Sequence, residues 1–199
     1  MNRVERALRQ AAEALRVHDA RFAVVGGLAV SVRAEPRFTR DVDLAISVAG
    51  DAAAERLVHD LSRDGFAVLA TVEQDKTGRL STVRLALPKS ALSGVVVDLL
   101  FASSGIESEV VGAAETLEII PSLFLPIARV GHLIALKLLA QTPGRPQDAA
   151  DLSALRGIAT KQDLEDARQA IDLITERGFN RGRDLPVAWA KFVADYSGD

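Results

Sequence analysis

Apolar and polar positions follow two different periods in the first 120 residues of this chain. Short apolar runs or strict alternation predict five β-strands: residues 21–27, 42–48, 66–72, 79–87 and 94–101. Apolar positions that recur every three to four residues predict three helices: residues 3–18, 28–35 and 52–65. Pro36 and Gly65 provide stop signals for the last two helices. Helices and strands therefore mix throughout this part of the sequence.

From about Pro126 onward the pattern is helical. The predicted helices are residues 127–140, 146–157, 161–178 and 186–196, with Thr160 as an N-cap. Residues 114–120 predict a last strand or a connection, and the two prolines of "PSLFLP" indicate a break. We therefore predict an α/β (α+β) fold, with a mixed sheet flanked by helices in residues 1–120 and a helical domain in residues 121–199.

Composition limits the classes of function. The chain has 199 residues, 48% of them hydrophobic and 26% charged, with a net charge of −3. This balance is typical of a globular protein, and any nucleic-acid contact needs a local basic patch. The absence of cysteine excludes disulfides, thiolate metal sites and cysteine nucleophiles. The charged start of the chain and the charges within residues 122–140 predict no signal peptide and no membrane span, hence a cytoplasmic protein.

Asp41 and Asp43 lie on either side of Val42 at the start of a predicted strand. Residues i and i+2 of a strand point to the same face, so the two carboxylates are expected to project together. Such a pair repels itself unless a cation lies between the two groups. Carboxylate oxygens suit Mg²⁺, which binds one or two of them together with substrate phosphates. The alternative is an ordinary solvated strand end.

Two further features point toward phosphate chemistry. Asp98 is a single acid inside the apolar run "GVVVDLLF", where either a metal ion or an arginine would offset the cost of its burial. Gly26 and Gly27 lie between a predicted strand and a predicted helix, where backbone N–H groups suit an anion, although such a pair is often only a tight turn. No P-loop or dinucleotide-binding glycine motif occurs in the sequence.

Taken together, the glycine pair, the Asp41-Val42-Asp43 motif and the later acid resemble the nucleotidyltransferase superfamily. The stretch "RFTRDVDLAI" is similar to its AbiEii-like abortive-infection and toxin–antitoxin members. The resemblance implies a nucleotidyltransferase-like fold in which Asp41, Asp43 and Asp98 hold two Mg²⁺ ions. It also implies that Gly26 and Gly27 bind the triphosphate beside Thr39. Arg37 is expected either to contact phosphate or to pair with an acid on the surface.

The helical half resembles the same group. "ALKLLAQTPGRPQDAADLSAL" is similar to its lysine followed by an Arg-x-x-Asp-x-x-Asp-Leu element. The resemblance implies that Lys137 reaches the nucleotide phosphates, that Asp148 takes part in catalysis, and that Arg145 orients Asp148 or binds phosphate. For Lys137 and Asp148 the alternatives are a solvated helix lysine and a first-turn acid, and Asp151 has the weaker case for function.

The resemblance implies an enzyme that moves a nucleoside monophosphate from an NTP to a hydroxyl group, with the helical domain completing the cleft. For toxins of this kind the expected acceptor is RNA, in particular the tRNA 3′ end, and a cognate antitoxin protein is the expected partner. The alternatives are nucleotidylation of an antibiotic-like small molecule and a nucleotide-binding protein without turnover. Gly27 replaces the serine of some relatives, so no hydroxyl contact to phosphate is expected there.

Overall fold

A computed structural model describes residues 3–74, 77–88, 94–142 and 144–194. In these ranges eight helices occur: α1 (Arg3–Val17), α2 (Gly26–Arg33), α3 (Asp51–Arg63), α4 (Glu107–Gly112), α5 (Val130–Ala140), α6 (Pro146–Ile158), α7 (Lys161–Glu176) and α8 (Leu185–Ala194). Seven strands occur in the same ranges: β1 (Arg21–Val24), β2 (Val42–Ser47), β3 (Ala67–Glu73), β4 (Leu80–Ala86), β5 (Val96–Leu100), β6 (Glu115–Ile120) and β7 (Leu123–Ile127).

The seven strands form one mixed sheet in the order β3-β4-β5-β2-β1-β7-β6. β2 and β5 run parallel near its centre, while β1 is antiparallel to β2 and β4 is antiparallel to β5. These central strands are rich in buried Val, Leu and Ile, which suits strands covered on both faces. The mixed α/β fold predicted from the sequence is confirmed.

Strand β7 replaces the break predicted at "PSLFLP". Its residues pair along β6 but meet β1 through a single partner pair, Val24 and Ile127. Pro126 has no backbone N–H group to donate to a neighbouring strand. Strand β7 tolerates that loss because it pairs with β1 at a single position. The sheet thus extends to Ile127, and α5 begins at Val130 and not at residue 127 as predicted. The division into domains at residue 120 stays a prediction.

Helix α5 is the centre of the helical half. It is buried along most of its length and packs against α2, α6 and α7. A side chain at Gly131 would approach the Asp163 carbonyl oxygen to 2.5 Å, so this glycine allows α5 and α7 to pack closely. Thr160 caps α7 through a reciprocal capping box with Asp163, as the sequence predicts. No helix in the described ranges combines the length and apolar character needed to cross a bilayer.

Two predictions overlap residues outside the described ranges. The hairpin predicted at residues 73–78 joins β3 and β4, but residues 75 and 76 are not described. The predicted helix over residues 186–196 corresponds to α8, whose described part ends at Ala194. Helix α4 was not predicted, because its six residues span fewer than two turns and give little periodicity.

Candidate active site

Two of the predicted acids lie side by side in the centre of the sheet. Asp43 on β2 is the register partner of Asp98 on the parallel strand β5. Adjacent strands lie about 4.8 Å apart, and partners in register project to the same face. Asp41 comes two residues before Asp43, just ahead of β2. The topology therefore places Asp43 beside Asp98. The local spacing of the sequence predicts only that Asp41 and Asp43 are close, whereas the resemblance implied that Asp98 joins them.

The Asp43 carboxyl has an unusual electrostatic environment. Burial, followed by the neighbouring charges of Asp98 and Asp41, raises its pKa from 3.8 to about 6, although Lys137 and Arg145 act in the opposite direction. Within the described residues, no hydrogen bond or ion pair reaches the carboxylates of Asp41 or Asp43. Crowded acidic groups with raised pKa values are typical of functional sites.

Asp98 has a different environment. Arg84, its cross-strand partner on β4, donates from Nε to Oδ1 at 2.8 Å and from Nη2 to Oδ2 at 2.7 Å. The sequence left a metal ion and an arginine as alternatives for this acid, and in this structure the arginine is its partner. In the described ranges no three acidic or histidine side chains converge as a metal-binding group.

Gly26 joins β1 to α2 directly beside Asp43. Its φ of +63° lies in the left-handed region, and a Cβ here would overlap the Asp43 Oδ2 atom and lie 2.6 Å from its Cγ. The Val25 N–H also donates to the Asp43 carbonyl oxygen at 3.0 Å. Glycine at this position therefore serves both the turn and the close approach of the α2 N-terminus to the acids.

Gly27 has a different neighbour. A Cβ at Gly27 would overlap Nη2 of Arg37 and lie 2.8 Å from its Cζ. Arg37 crosses this space to reach Asp151 on α6, with Nε–Oδ1 at 2.6 Å and Nη2–Oδ2 at 2.8 Å. Of the two alternatives for Arg37, this structure has the pairing with an acid, and that acid is buried.

Lys137 is the centre of a buried charge network in the helical half. Its Nζ lies 2.9 Å from Asp148 Oδ1 and 2.7 Å from Asp151 Oδ2. Arg145 Nε approaches the other Asp148 oxygen at 3.3 Å. Asp148 and Asp151 are each only 1% exposed, so three cations, on α5, at the N-cap of α6 and in the loop before β2, neutralise two buried carboxylates.

A cleft of about 660 Å³ separates the acids on the sheet from this network. The charged residues that line it are Asp43, Glu73, Arg84, Asp98, Lys137, Arg145 and Arg181, and Gly26 borders it as well. Of the predicted site residues, Gly27, Arg37, Thr39, Asp41 and Asp148 do not line it. Arg37 and Thr39 border a second, more apolar cavity of about 780 Å³ that contains none of the three acids. The chemistry therefore favours the smaller cavity.

Sequence reasoning missed Arg84 and gave Arg181 no specific role. Arg181 belongs to the arginine-bearing stretch after α7, and its Nη2 donates to the Ser103 carbonyl oxygen at 2.8 Å and to Ser103 Oγ at 2.6 Å. The buried Glu107 accepts from the Ser103 and Ser104 N–H groups at 2.8 and 2.6 Å. This wall of the cleft thus connects the segment after β5 to the C-terminal half.

A family model for the AbiEii nucleotidyltransferase toxin of type IV toxin–antitoxin systems matches residues 6–195. The chain belongs to this family. The resemblance drawn from the glycine pair and the aspartates is confirmed, and the protein is a nucleotidyltransferase. Comparison with curated proteins finds no match.

Solved structures provide a comparison of folds. An antigenic nucleotidyltransferase-like protein from Paracoccidioides brasiliensis is 18% identical, with a TM-score of 0.50 over 90% of this chain and 88% of its own. This similarity shows a shared fold. The nucleotidyltransferase toxin MenT4 from Mycobacterium tuberculosis is 14% identical, with a TM-score of 0.34 over 86% of this chain and 85% of its own.

Proposed function

We propose that this AbiEii-family protein transfers a nucleoside monophosphate from an NTP to a hydroxyl group of RNA, at the tRNA 3′ end, as the toxin of a toxin–antitoxin pair. The observation that carries the proposal is the in-register pair Asp43 and Asp98, which faces Lys137 across a cleft of about 660 Å³. A cleft of this size accommodates a nucleotide beside an acceptor end.

The residues of the cleft fit a divalent cation. Their donors are carboxylate oxygens, which Mg²⁺ prefers. Burial, followed by repulsion from Asp98 and Asp41, raises the pKa of Asp43, and a bound cation would offset both effects. Asp41, Asp43 and Asp98 would hold two Mg²⁺ ions, with Asp98 first leaving Arg84. When bound, the ions would activate the acceptor hydroxyl and stabilise charge on the phosphates.

The other residues of the cleft are assigned to the triphosphate. Lys137 and Arg145 are cations on the wall opposite the acids, and Arg181 stands beside Ser103. In this proposal they hold the β- and γ-phosphates, while Gly26 lets the α2 N-terminus approach the α-phosphate. The acceptor hydroxyl loses its proton to water as its oxygen forms a bond to the α-phosphorus. The bond from that phosphorus to the bridging oxygen breaks, and pyrophosphate leaves between these cations.

The charge of the cleft favours an RNA acceptor over a cationic antibiotic. Four basic side chains line it, Arg84, Lys137, Arg145 and Arg181, against three acids, Asp43, Glu73 and Asp98. With Asp43 and Asp98 assigned to cations, Glu73 is the one acid of this lining left for an acceptor. A cationic aminoglycoside requires an acidic pocket, so this lining favours RNA, whose phosphates are compatible with the basic residues of the cleft.

The test is transfer of label from each of four α-³²P-labelled NTPs to total cellular RNA in the presence of Mg²⁺. We expect label on a tRNA-sized band with wild type and with the surface variant Asp172→Asn, and none with Asp43→Asn. Absence of label on RNA with every one of the four NTPs would contradict the proposal that RNA is the acceptor. Transfer to an aminoglycoside in the same mixture would then identify a small-molecule enzyme, and NTP binding without any product would identify a binding protein.

A further inference from the structure

Arg84 and Asp98 form a two-pronged ion pair on the floor of the cleft. Nε and Nη2 of the guanidinium each donate to a different oxygen of the carboxylate. The side chain of Asp98 is 11% exposed, whereas that of Arg84 is 48% exposed. The Asp98 side chain is therefore fixed in the sheet. Arg84 lies at the surface of the cleft, where its long side chain has room for other rotamers.

This contact sets Asp98 apart from the other two acids. A guanidinium fork occupies one lone pair on each carboxylate oxygen and brings a positive charge close to the position that a divalent cation would take. Asp41 and Asp43 have no such partner within the described residues. In this structure, two of the three acids are thus open to a cation and the third is occupied.

We propose that Arg84 controls the order in which the site fills: it withholds Asp98 from metal until the nucleotide enters. One cation binds Asp41 and Asp43 with Arg84 in place, and a second cation, which needs Asp98, binds only with the triphosphate. The inference rests on the proposed function, because it assumes that these acids bind metal. Arg84 is here a positioning residue, which acts through Asp98.

The charge of the nucleotide provides the driving force for the exchange. A triphosphate offers several anionic oxygens, and guanidinium binds phosphate with the same bidentate geometry as carboxylate. Arg84 lines the same cleft as Lys137 and Arg145, so a nucleotide held by those cations lies within the space that the Arg84 side chain borders. Arg84 then exchanges one anion for another.

The experiment is a titration of nucleotide-free protein with Mn²⁺, in which electron paramagnetic resonance measures the free ion. We expect Arg84→Met to bind one Mn²⁺ more than wild type, or to bind Mn²⁺ at least ~10-fold more tightly, equal to ~1.4 kcal/mol. Arg84→Lys, which keeps the charge but loses the fork, is expected to lie between them. Arg79→Met, which removes a charge from the same hairpin outside the cleft, is expected to match wild type.

A double variant separates release of Asp98 from a general change of charge. In Arg84→Met/Asp98→Asn the gain is expected to vanish, whereas an effect of charge alone would persist. Equal titrations of wild type and Arg84→Met, or a gain that survives Asp98→Asn, would overturn the role of Arg84. If Asp43→Asn does not weaken Mn²⁺ binding with a non-hydrolysable NTP present, the metal site itself fails, and the inference fails with it.

Discussion

Arg37 and Asp151 lie 114 positions apart and join the loop before β2 to helix α6 through two charged contacts of 2.6 and 2.8 Å. Asp151 is 1% exposed and also contacts Lys137, which lines the cleft. A buried carboxylate that loses one of two cations keeps its full cost of burial. The pair therefore connects the segment that carries Asp41 and Asp43 to the segment that carries Lys137.

The first prediction concerns this connection. Arg37→Met and Asp151→Asn are each expected to lower the free energy of unfolding by ~2–4 kcal/mol, and the double variant by less than the sum, with a coupling above ~1 kcal/mol. Urea denaturation of the four proteins measures it. The exposed pair Arg168 and Asp172 serves as the control and is expected to couple by less than ~0.5 kcal/mol. Additive effects at Arg37 and Asp151 would contradict the connection.

The second prediction concerns Gly27. Because a Cβ here meets the Arg37 guanidinium, Gly27→Ala is expected to cost ~1–3 kcal/mol in wild type and clearly less in an Arg37→Ala background. Thermal or chemical unfolding of the four proteins gives the comparison. Gly157 on α6 has open space around it, so Gly157→Ala is expected to be neutral or stabilising. An equal cost of Gly27→Ala in both backgrounds would rule out this packing role.

The third prediction follows from the pKa of Asp43, which is 3.8 for the ordinary group and about 6 in the folded chain. Between about pH 4 and pH 6 the folded protein keeps a proton on Asp43 that the unfolded chain has released. The free energy of unfolding therefore falls as the pH rises from about 4 to 6, and this loss is complete above about pH 6. In EDTA, Asp43→Asn is expected to be more stable than wild type by on the order of 2–3 kcal/mol at pH 7, and equal to it below pH 4. A difference independent of pH would contradict the assignment.

The fourth prediction concerns the arginine-bearing stretch after α7. If Arg181 holds the triphosphate, Arg181→Ala is expected to raise KM for the NTP at least ~5-fold with a smaller change in kcat, as for a contact made equally in ground and transition states. Arg183→Ala is the matched control, because Arg183 does not line the cleft. An unchanged KM in Arg181→Ala would contradict triphosphate binding by Arg181, whose role would then be the structural contact with Ser103.

The three aspartates could be singled out from the sequence because their signal is local, and their role as metal ligands stays a prediction. Asp41 and Asp43 are two residues apart, and Asp98 interrupts an apolar run, so both features are visible without tertiary structure. The adjacency of Asp43 and Asp98 is not local, since it depends on β5 pairing with β2 and the two residues are 55 positions apart in the sequence. Periodicity gives the strands but not their order in the sheet.

Arg84 and strand β7 were missed for related reasons. The strand predicted at residues 79–87 carries two arginines, Arg79 and Arg84, and only the register of β4 against β5 places Arg84 opposite Asp98. That register fixes a cross-strand neighbour that the sequence alone leaves open. Strand β7 ends in Pro126-Ile127, where proline normally argues against a strand, and its long ladder with β6 outweighs that local signal.

We propose that Asp41, Asp43 and Asp98 form the cation site of this nucleotidyltransferase. Anomalous diffraction from a crystal of the protein with Mn²⁺ and a non-hydrolysable NTP tests it most directly. We expect anomalous peaks that locate two manganese ions, one bound to the Asp43 carboxylate and both in contact with the triphosphate. Asp98 is expected to have left Arg84 and to bind the second ion. Triphosphate bound in the cleft with no manganese at these carboxylates would contradict the account.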